Sequence, residues 1–342
     1  MNFKSDNIVG VSPSILEKII NINMGSQNSY GGDEYSSQIK DVFSTIFEKQ
    51  VEVFLTSTGT AANSLALSAL VGPFDAIYCH SHAHINTDEC NAPEFFTGGA
   101  KLIPIEGDHG KIDPNLLKES IEVSLALKPH TARPGCISLT QATECGTVYS
   151  LQELEEIKQI ATEYQLPIHM DGARFTNALV SLGCTPAELT WKSGVDILTF
   201  GATKNGALAA EAVVFFNEKY AKDFEYRQKR SGQMMSKMRF FACQFLSFFE
   251  NNLWIENATH ANNMAQKLGY IFEKHGFHTQ YPVQANEVFP ILPLEIVENL
   301  REKGANFYEW GISGSNLYRF VTSCFTTDHD LESFKTALES SL

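Results

Sequence analysis

From about residue 51 to residue 216, short apolar runs alternate with helical patterns, and this alternation restricts the fold more than any other feature of the chain. Strands are expected at 51–56, 76–80, 101–105, 136–140, 167–170, 196–200 and 212–216. Helical patterns at 61–71, 115–127 and 151–164 lie between them. Runs this short and this continuously apolar are buried on both faces, which predicts an α/β domain with a parallel or mixed sheet and helices on both faces. Asp113-Pro114 and Ser150 stand where helices should start. A long helical stretch over 233–274 then changes the rhythm. Beyond it, strands at 286–292 and 317–322, a helix at 294–303 and a last helix from Asp328 predict a smaller C-terminal α+β domain. The expected division is 1–250 and 251–342.

In an open α/β sheet, ligands collect beyond the carboxyl ends of the strands. Three segments fall there. Thr56-Ser57-Thr58-Gly59-Thr60 ends a strand and opens a helix, so Thr58, Gly59 and Thr60 can offer N–H groups, hydroxyls and the positive dipole end to an anion. The turn lacks the Lys of a nucleotide-binding P-loop and the glycine spacing of a dinucleotide fingerprint. Asp171, in Asp171-Gly172-Ala173-Arg174, ends another strand, where it can cap a helix or hold a ring nitrogen in its cationic form. Lys204, between Gly201 and Gly206, follows an apolar strand, and a desolvated lysine is a nucleophile able to form a Schiff base. Phosphate anchor, acidic partner and amine, in this order, are the parts that pyridoxal 5'-phosphate requires.

The same residues carry a resemblance that runs nearly end to end. Lys4-Ser5-Asp6, Tyr30-Gly31-Gly32-Asp33, Thr58-Gly59-Thr60-Ala61-Ala62-Asn63, Ala83-His84, Asp171-Gly172-Ala173-Arg174, Thr203-Lys204-Asn205-Gly206 and Tyr318-Arg319-Phe320-Val321-Thr322 resemble the threonine aldolases. These belong to the aspartate-aminotransferase-like fold type I of pyridoxal phosphate enzymes, which implies an α/β fold with a mixed, mostly parallel seven-stranded sheet. The resemblance implies Lys204 as the Schiff-base lysine, Asp171 as partner of the pyridine nitrogen and His84 as the ring stacked over the coenzyme. It implies Thr58, Gly59 and Thr60 for the phosphate, and Ser5, Arg174 and Arg319 for the substrate carboxylate. It further implies a homotetramer in which Tyr30 and the pair Lys229-Arg230 reach a neighbour's site. Many members carry Thr-His-Asn-Gly where this chain has Thr143-Glu144-Cys145-Gly146. Glu144 therefore stands in place of a histidine that approaches the substrate's β-hydroxyl. His84 is the first choice for the base and Glu144 the second. The implied activity is low-specificity cleavage of β-hydroxy-α-amino acids to glycine and an aldehyde, with β-elimination as the alternative within the same chemistry.

Other features bound the remaining classes. His80, His82 and His84 alternate and would share a face in extended chain, so a metal-dependent hydrolase is the alternative of another class. No His-Glu-x-x-His supports it, and His80 and His82 read as packing or surface residues. Asp88-Glu89 reads as a solvated charge pair, with approach of Glu89 to the site as the lesser alternative. Lys229-Arg230 reads equally as the solvated face of a helix. With 26 basic and 40 acidic residues the net charge is −14, and no basic block offsets it, which argues against nucleic acid or an anionic membrane as partner. The seven cysteines are odd in number and form no Cys-x-x-Cys, as free thiols in a reducing cytoplasm would be. No signal-like segment opens the chain, and the greasiest helical run, 240–249, is about half the ~20 residues of a membrane span. Its phenylalanines at 241, 245, 248 and 249 recur at helical spacing and predict core or subunit contact.

Overall fold

The computed structural model describes residues 1–311 and 314–342. Among these, seven strands form the main sheet: β1 Glu52–Thr56, β2 Asp75–His80, β3 Lys101–Ile105, β4 Arg133–Thr140, β5 Ile168–Gly172, β6 Val195–Gly201 and β7 Glu211–Phe215. Their order is β1-β7-β6-β5-β4-β2-β3. β2, β3, β4, β5 and β6 run parallel, and β7 is antiparallel to both β6 and β1. Of the parallel and mixed sheets that the alternation allows, the mixed, mostly parallel one implied by the resemblance forms.

Alternation along the strands feeds two cores. Ile197, Val213 and Phe215 pack with Ala62, Leu65 and Ala66 of the helix Gly59–Leu70. Their neighbours Leu198, Phe200 and Val214 enter the larger core on the other face, with Phe43, Phe47 and Phe245. Helix starts follow the local chemistry. Asp113 Oδ1 accepts the N–H groups of Asn115 and Leu116 at 2.8 and 3.1 Å, with Pro114 in the first turn. Ser150 and Glu153 close a capping box on Leu151–Tyr164.

The long helical stretch expected at 233–274 is instead two helices, Arg239–Phe249 and Leu253–Lys274. Asn251 (φ 53°) and Asn252 (φ 58°) take the left-handed conformation that asparagine tolerates, and this breaks the run. The second helix starts just past the expected division at 250 and serves both layers. Trp254 lies in the large core, whereas Met264, Leu268 and Phe272 lie in a second core with Val288, Phe320 and Phe334. That second layer holds a three-stranded antiparallel sheet, ordered β8-β10-β9, of β8 Glu287–Val288, β9 Tyr308–Glu309 and β10 Tyr318–Val321. The helices Leu294–Glu302 and Asp328–Glu339 complete it. The first residues join it too: Phe3 is buried there, and its N–H donates to Asn306 O at 2.8 Å. The N-terminal arm thus runs from the small layer back across the mouth of the large one. No helix among the described residues is long and apolar enough to cross a membrane.

Candidate active site

The carboxyl ends of β4, β5 and β6 and the N-terminus of the helix Gly59–Leu70 enclose one pocket. It is lined by Gly59, Thr60, Asn63, His84, Glu89, Thr140, Ala142, Glu144, Asp171, Ala173, Arg174 and Lys204. Seven of the residues singled out from sequence converge there: Gly59, Thr60, His84, Glu144, Asp171, Arg174 and Lys204. Thr58 caps the helix at the pocket's edge, where its Oγ1 accepts the Ala61 N–H at 3.2 Å. The first-turn N–H groups lie ahead of the intrahelical ladder and are available to an anion. Ser57 N–H and Oγ both reach Gln233 Oε1 at 2.9 Å, which pins the turn from outside.

Asp171 is buried at the end of β5. Its Oδ1 accepts the Ala173 N–H at 3.0 Å and its Oδ2 accepts Asn63 Nδ2 at 2.7 Å. Gly172 follows because β6 comes close: a Cβ there would stand 2.6 Å from Thr199 O. Two residues earlier in the strand, His169 lies fully buried between Ser138 Oγ (2.9 Å) and Thr199 Oγ1 (3.1 Å). Burial pushes its pKa down to about 4, so it underpins Asp171 as a neutral ring. Lys204 sits in the tight turn after β6, which ends at Gly206 with φ 104°, a conformation that favours glycine. Gly206 O accepts the Ser12 N–H at 2.8 Å, so the N-terminal arm holds this turn.

Around these two groups the pocket is rich in acids. Asn63 donates a second time, to Glu89 Oε1 at 2.9 Å, and the same oxygen lies 2.9 Å from His84 Nδ1. Glu89 is buried, which corrects the expectation of a solvated Asp88-Glu89 pair; only Asp88 is exposed. The short helix His84–Thr87 turns the two residues to opposite sides. The Glu89 hydrogen bond, against a smaller opposing effect of burial, raises the pKa of His84, and burial raises that of Glu89. Glu144 Oε1 accepts the backbone N–H of His84 at 2.7 Å. Burial, with Asp171 nearby, holds its carboxyl at about 7. Glu211, on β7, is likewise held at about 7, first by burial.

Arg174 forms a two-pronged pair with Asp6, Nε to Oδ2 at 2.8 Å and Nη2 to Oδ1 at 3.0 Å, and its Nη1 lies 3.5 Å from Glu287 Oε2. Arg319 reaches the same Glu287 at 3.9 Å and lies over the Trp310 ring at 4.9 Å. Ser5 precedes Asp6, and its Oγ lies 3.4 Å from Asp6 Oδ1. The three residues expected to hold a carboxylate are therefore linked through two acids, Asp6 and Glu287. Tyr30, Lys229 and Arg230 lie apart from the pocket lining. All three are exposed, with Lys229 Nζ 4.3 Å from the centre of the Tyr30 ring.

The alternating histidines do not converge. His80 Nε2 lies 3.1 Å from Gly107 O, His82 Nδ1 lies 3.7 Å from Cys145 Sγ, and His84 turns to Glu89. Among the described residues, no group of three or more His, Cys, Asp or Glu side chains is placed to hold a metal ion. The metal-dependent hydrolase is set aside on that geometry. Sequence reasoning missed Asp6, Asn63, His169, Glu211 and Glu287. Asn63 alone carried a local signal, being one helical turn past Gly59 and so on the face that looks into the pocket.

Sheet order, antiparallel β7, small second layer and strand-end Asp and Lys define the class: a fold-type I, aspartate-aminotransferase-like enzyme. Solved structures agree. The threonine aldolase of Leishmania major superposes with a TM-score of 0.93 at 27% identity, covering 99% of this chain and 98% of that one. An alanine–glyoxylate aminotransferase from Nostoc sp. shares the fold alone, with a TM-score of 0.72 at 14% identity over 99% and 94% of the two chains. The model of the β-eliminating lyase family matches residues 2–293. A low specificity L-threonine aldolase from Pseudomonas sp. (strain NCIMB 10558) is 43% identical over 95% of this chain and 93% of its own length. Its counterpart from Pseudomonas aeruginosa is 42% identical over 96% and 94%. The chain belongs to the β-eliminating lyase family and, within it, to the low-specificity L-threonine aldolases, and so to the carbon–carbon lyases. Members of this group generally use pyridoxal phosphate.

Proposed function

We propose that the chain cleaves small β-hydroxy-α-amino acids, L-threonine, L-allo-threonine and phenylserine-like substrates, to glycine and an aldehyde, with pyridoxal 5'-phosphate as coenzyme. The observation that supports this most is the meeting of Lys204 and Asp171 in one pocket beside the helix N-terminus at Thr58–Thr60.

The residues present fit the coenzyme. Asn63 Oδ1, Glu89 Oε2 and Glu144 Oε2 are buried there without a hydrogen-bond partner, which marks a cavity built to be completed by a ligand. Lys204 would bind the aldehyde carbon, and Thr58, Gly59 and Thr60 the phosphate, with Arg174 and a neighbour's Lys229 and Arg230 adding positive charge. Asp171, held as an acceptor by two N–H groups, would keep the pyridine nitrogen protonated. His84 would cover the ring. When bound, the coenzyme supplies the electron sink for the pair left by the broken Cα–Cβ bond.

The protein does the rest by placement. Arg319 and Arg174, with Ser5 and a neighbour's Tyr30, fix the substrate carboxylate and so decide which bond at Cα stands aligned for cleavage. Orientation of this kind supplies about 7–11 kcal/mol in favourable cases. Asp6 holds the Arg174 guanidinium in place, so that Nη1 is the edge it turns toward Glu287 and the substrate side. A base, His84 or Glu144, accepts the β-hydroxyl proton, and protonation of Cα gives glycine. The assembly is a homotetramer with sites at subunit contacts, in the cytoplasm, where the seven free cysteines remain reduced. The test is incubation of the purified holoenzyme with L-threonine, L-allo-threonine and phenylserine. Glycine and aldehyde in equal amounts are expected. Ammonia and a keto acid would establish β-elimination instead.

A further inference from the structure

The two candidate bases differ in how their acceptor atoms are engaged. Glu89 Oε1 accepts from Asn63 Nδ2 at 2.9 Å and lies 2.9 Å from His84 Nδ1, so against an ionised Glu89 the imidazole is the donor at that nitrogen. The buried carboxyl against it favours a second proton on the ring and raises its pKa. To the extent that the ring holds that second proton, its Nε2 has no lone pair for a hydroxyl. Glu144 is arranged the other way. Its Oε1 is tied to the His84 N–H at 2.7 Å, which fixes the carboxyl plane, while its Oε2 is buried and has no partner. It lines the same pocket as Lys204 and Asp171.

We propose that Glu144 is the catalytic base of this chain, with Oε2 taking the proton of the substrate's β-hydroxyl while His84, its Nδ1 engaged by Glu89, stands beside it. The inference deepens the aldolase reading and rests on it. As the O–H bond breaks, Oε2–H forms. The oxygen's electron pair becomes the carbonyl π bond of the departing aldehyde, and the Cα–Cβ pair stays on the Cα side until a proton closes glycine. In the reverse direction the protonated carboxyl returns its proton to the alkoxide oxygen, so one group serves both ways.

The groups around Glu144 suit that exchange. Asp171 faces it with like charge and Arg174 with opposite charge, the Cys79, Cys145 and Tyr149 side chains are near enough to feel its charge, and Thr140 lines the pocket beside it. Burial and Asp171 leave the carboxyl titrating at about 7, where a base is half available at neutral pH.

Glu144→Gln tests this in the holoenzyme, because glutamine keeps an acceptor for the His84 N–H and loses the ability to take a proton. Threonine cleavage should fall about 10²–10⁴-fold. Exchange of glycine's α-proton with D2O, which involves no β-hydroxyl, should stay within about threefold of wild type. Independently of turnover, difference infrared spectra of wild type should show a carboxylic acid C=O band that titrates near pH 7 and is missing from the variant. If Glu144→Gln does not fold, Glu144→Asp carries the test, with a partial rate and a displaced infrared titration. Cleavage within about threefold of wild type, equal losses in cleavage and glycine exchange, or absence of the band would overturn the assignment. A wild-type enzyme that releases no aldehyde from any substrate would overturn the aldolase reading instead, and the infrared band would still report whether Glu144 carries a proton.

Discussion

The same strands build two regions of opposite character. Near the end of β6, Phe200 meets Phe43 at 5.6 Å and Phe245 at 6.1 Å, and Phe43 meets Phe245 at 5.3 Å, largely edge to face. These rings are fully buried, which is the arrangement aromatic quadrupoles favour. Four residues further on, Lys204 stands in a pocket where buried oxygens of Asn63, Glu89 and Glu144 have no partner. On β5 the change takes a single residue, from Met170 in the core to Asp171 at the site. Stability and chemistry are thus separated along each strand. The apolar side chains up to the strand's last residues are satisfied by one another, and the polar groups just past them are satisfied only with ligands in place. An unmet buried polar group costs roughly 1–3 kcal/mol, so the core must offset what the pocket leaves open.

The largest effect expected from that division is at Lys204. Lys204→Ala should abolish the coenzyme's covalent absorbance band and aldehyde release, with a melting temperature close to wild type when both are measured without coenzyme. A band that persists and is still reducible by borohydride would remove Lys204 from its role. Phe200→Ala probes the other region and should cost about 3–5 kcal/mol in urea unfolding. The folded fraction should keep its coenzyme band, and loss of the band in fully folded protein would show the two regions to be coupled.

Glu211→Gln sharpens the contrast through its sign. The folded-state pKa of about 7 lies above the ordinary 4.5, so the fold binds a proton that the unfolded chain lacks between those values. Stability therefore falls as pH rises from about 4.5 to 7. The glutamine variant should be the more stable apoprotein at pH 8, by an amount on the order of 3 kcal/mol at most, with the advantage gone below pH 4.5. An advantage that grows toward low pH would contradict a raised carboxyl.

The strands of the main sheet were legible because a run such as 196–200, apolar on both faces, has few other ways to be buried. Lys204 and Asp171 were legible because charge directly after such a run is unusual. Asp6, Glu287 and Glu211 were not. Asp6 stood in a segment that carries the resemblance but had no role of its own, Glu287 and Glu211 lay in or beside ordinary strands, and burial of the first two depends on partners far along the chain, Arg174 for Asp6 and both arginines for Glu287. Glu89 was misread for the same reason: the His84 and Asn63 that justify its burial come together only through the fold. The break at Asn251 and Asn252 was hidden because both asparagines sit in a stretch whose apolar spacing continues across them.

The smallest effect expected is at the exposed pair Tyr30 and Lys229. A cation over an exposed ring is worth about 0.5–1 kcal/mol, so Lys229→Ala should leave the fold nearly as stable as before. If the residue serves a neighbour's pocket, as proposed, the variant should instead bind coenzyme more weakly. That weakening should vanish when wild type and variant are both diluted until the assembly dissociates. Equal coenzyme affinity at every concentration would make this helix a solvated face and nothing more. The measurement extends the comparison beyond one chain. A pocket left unmet by its own strands is completed by coenzyme alone in that case, and by coenzyme together with a second subunit in the other.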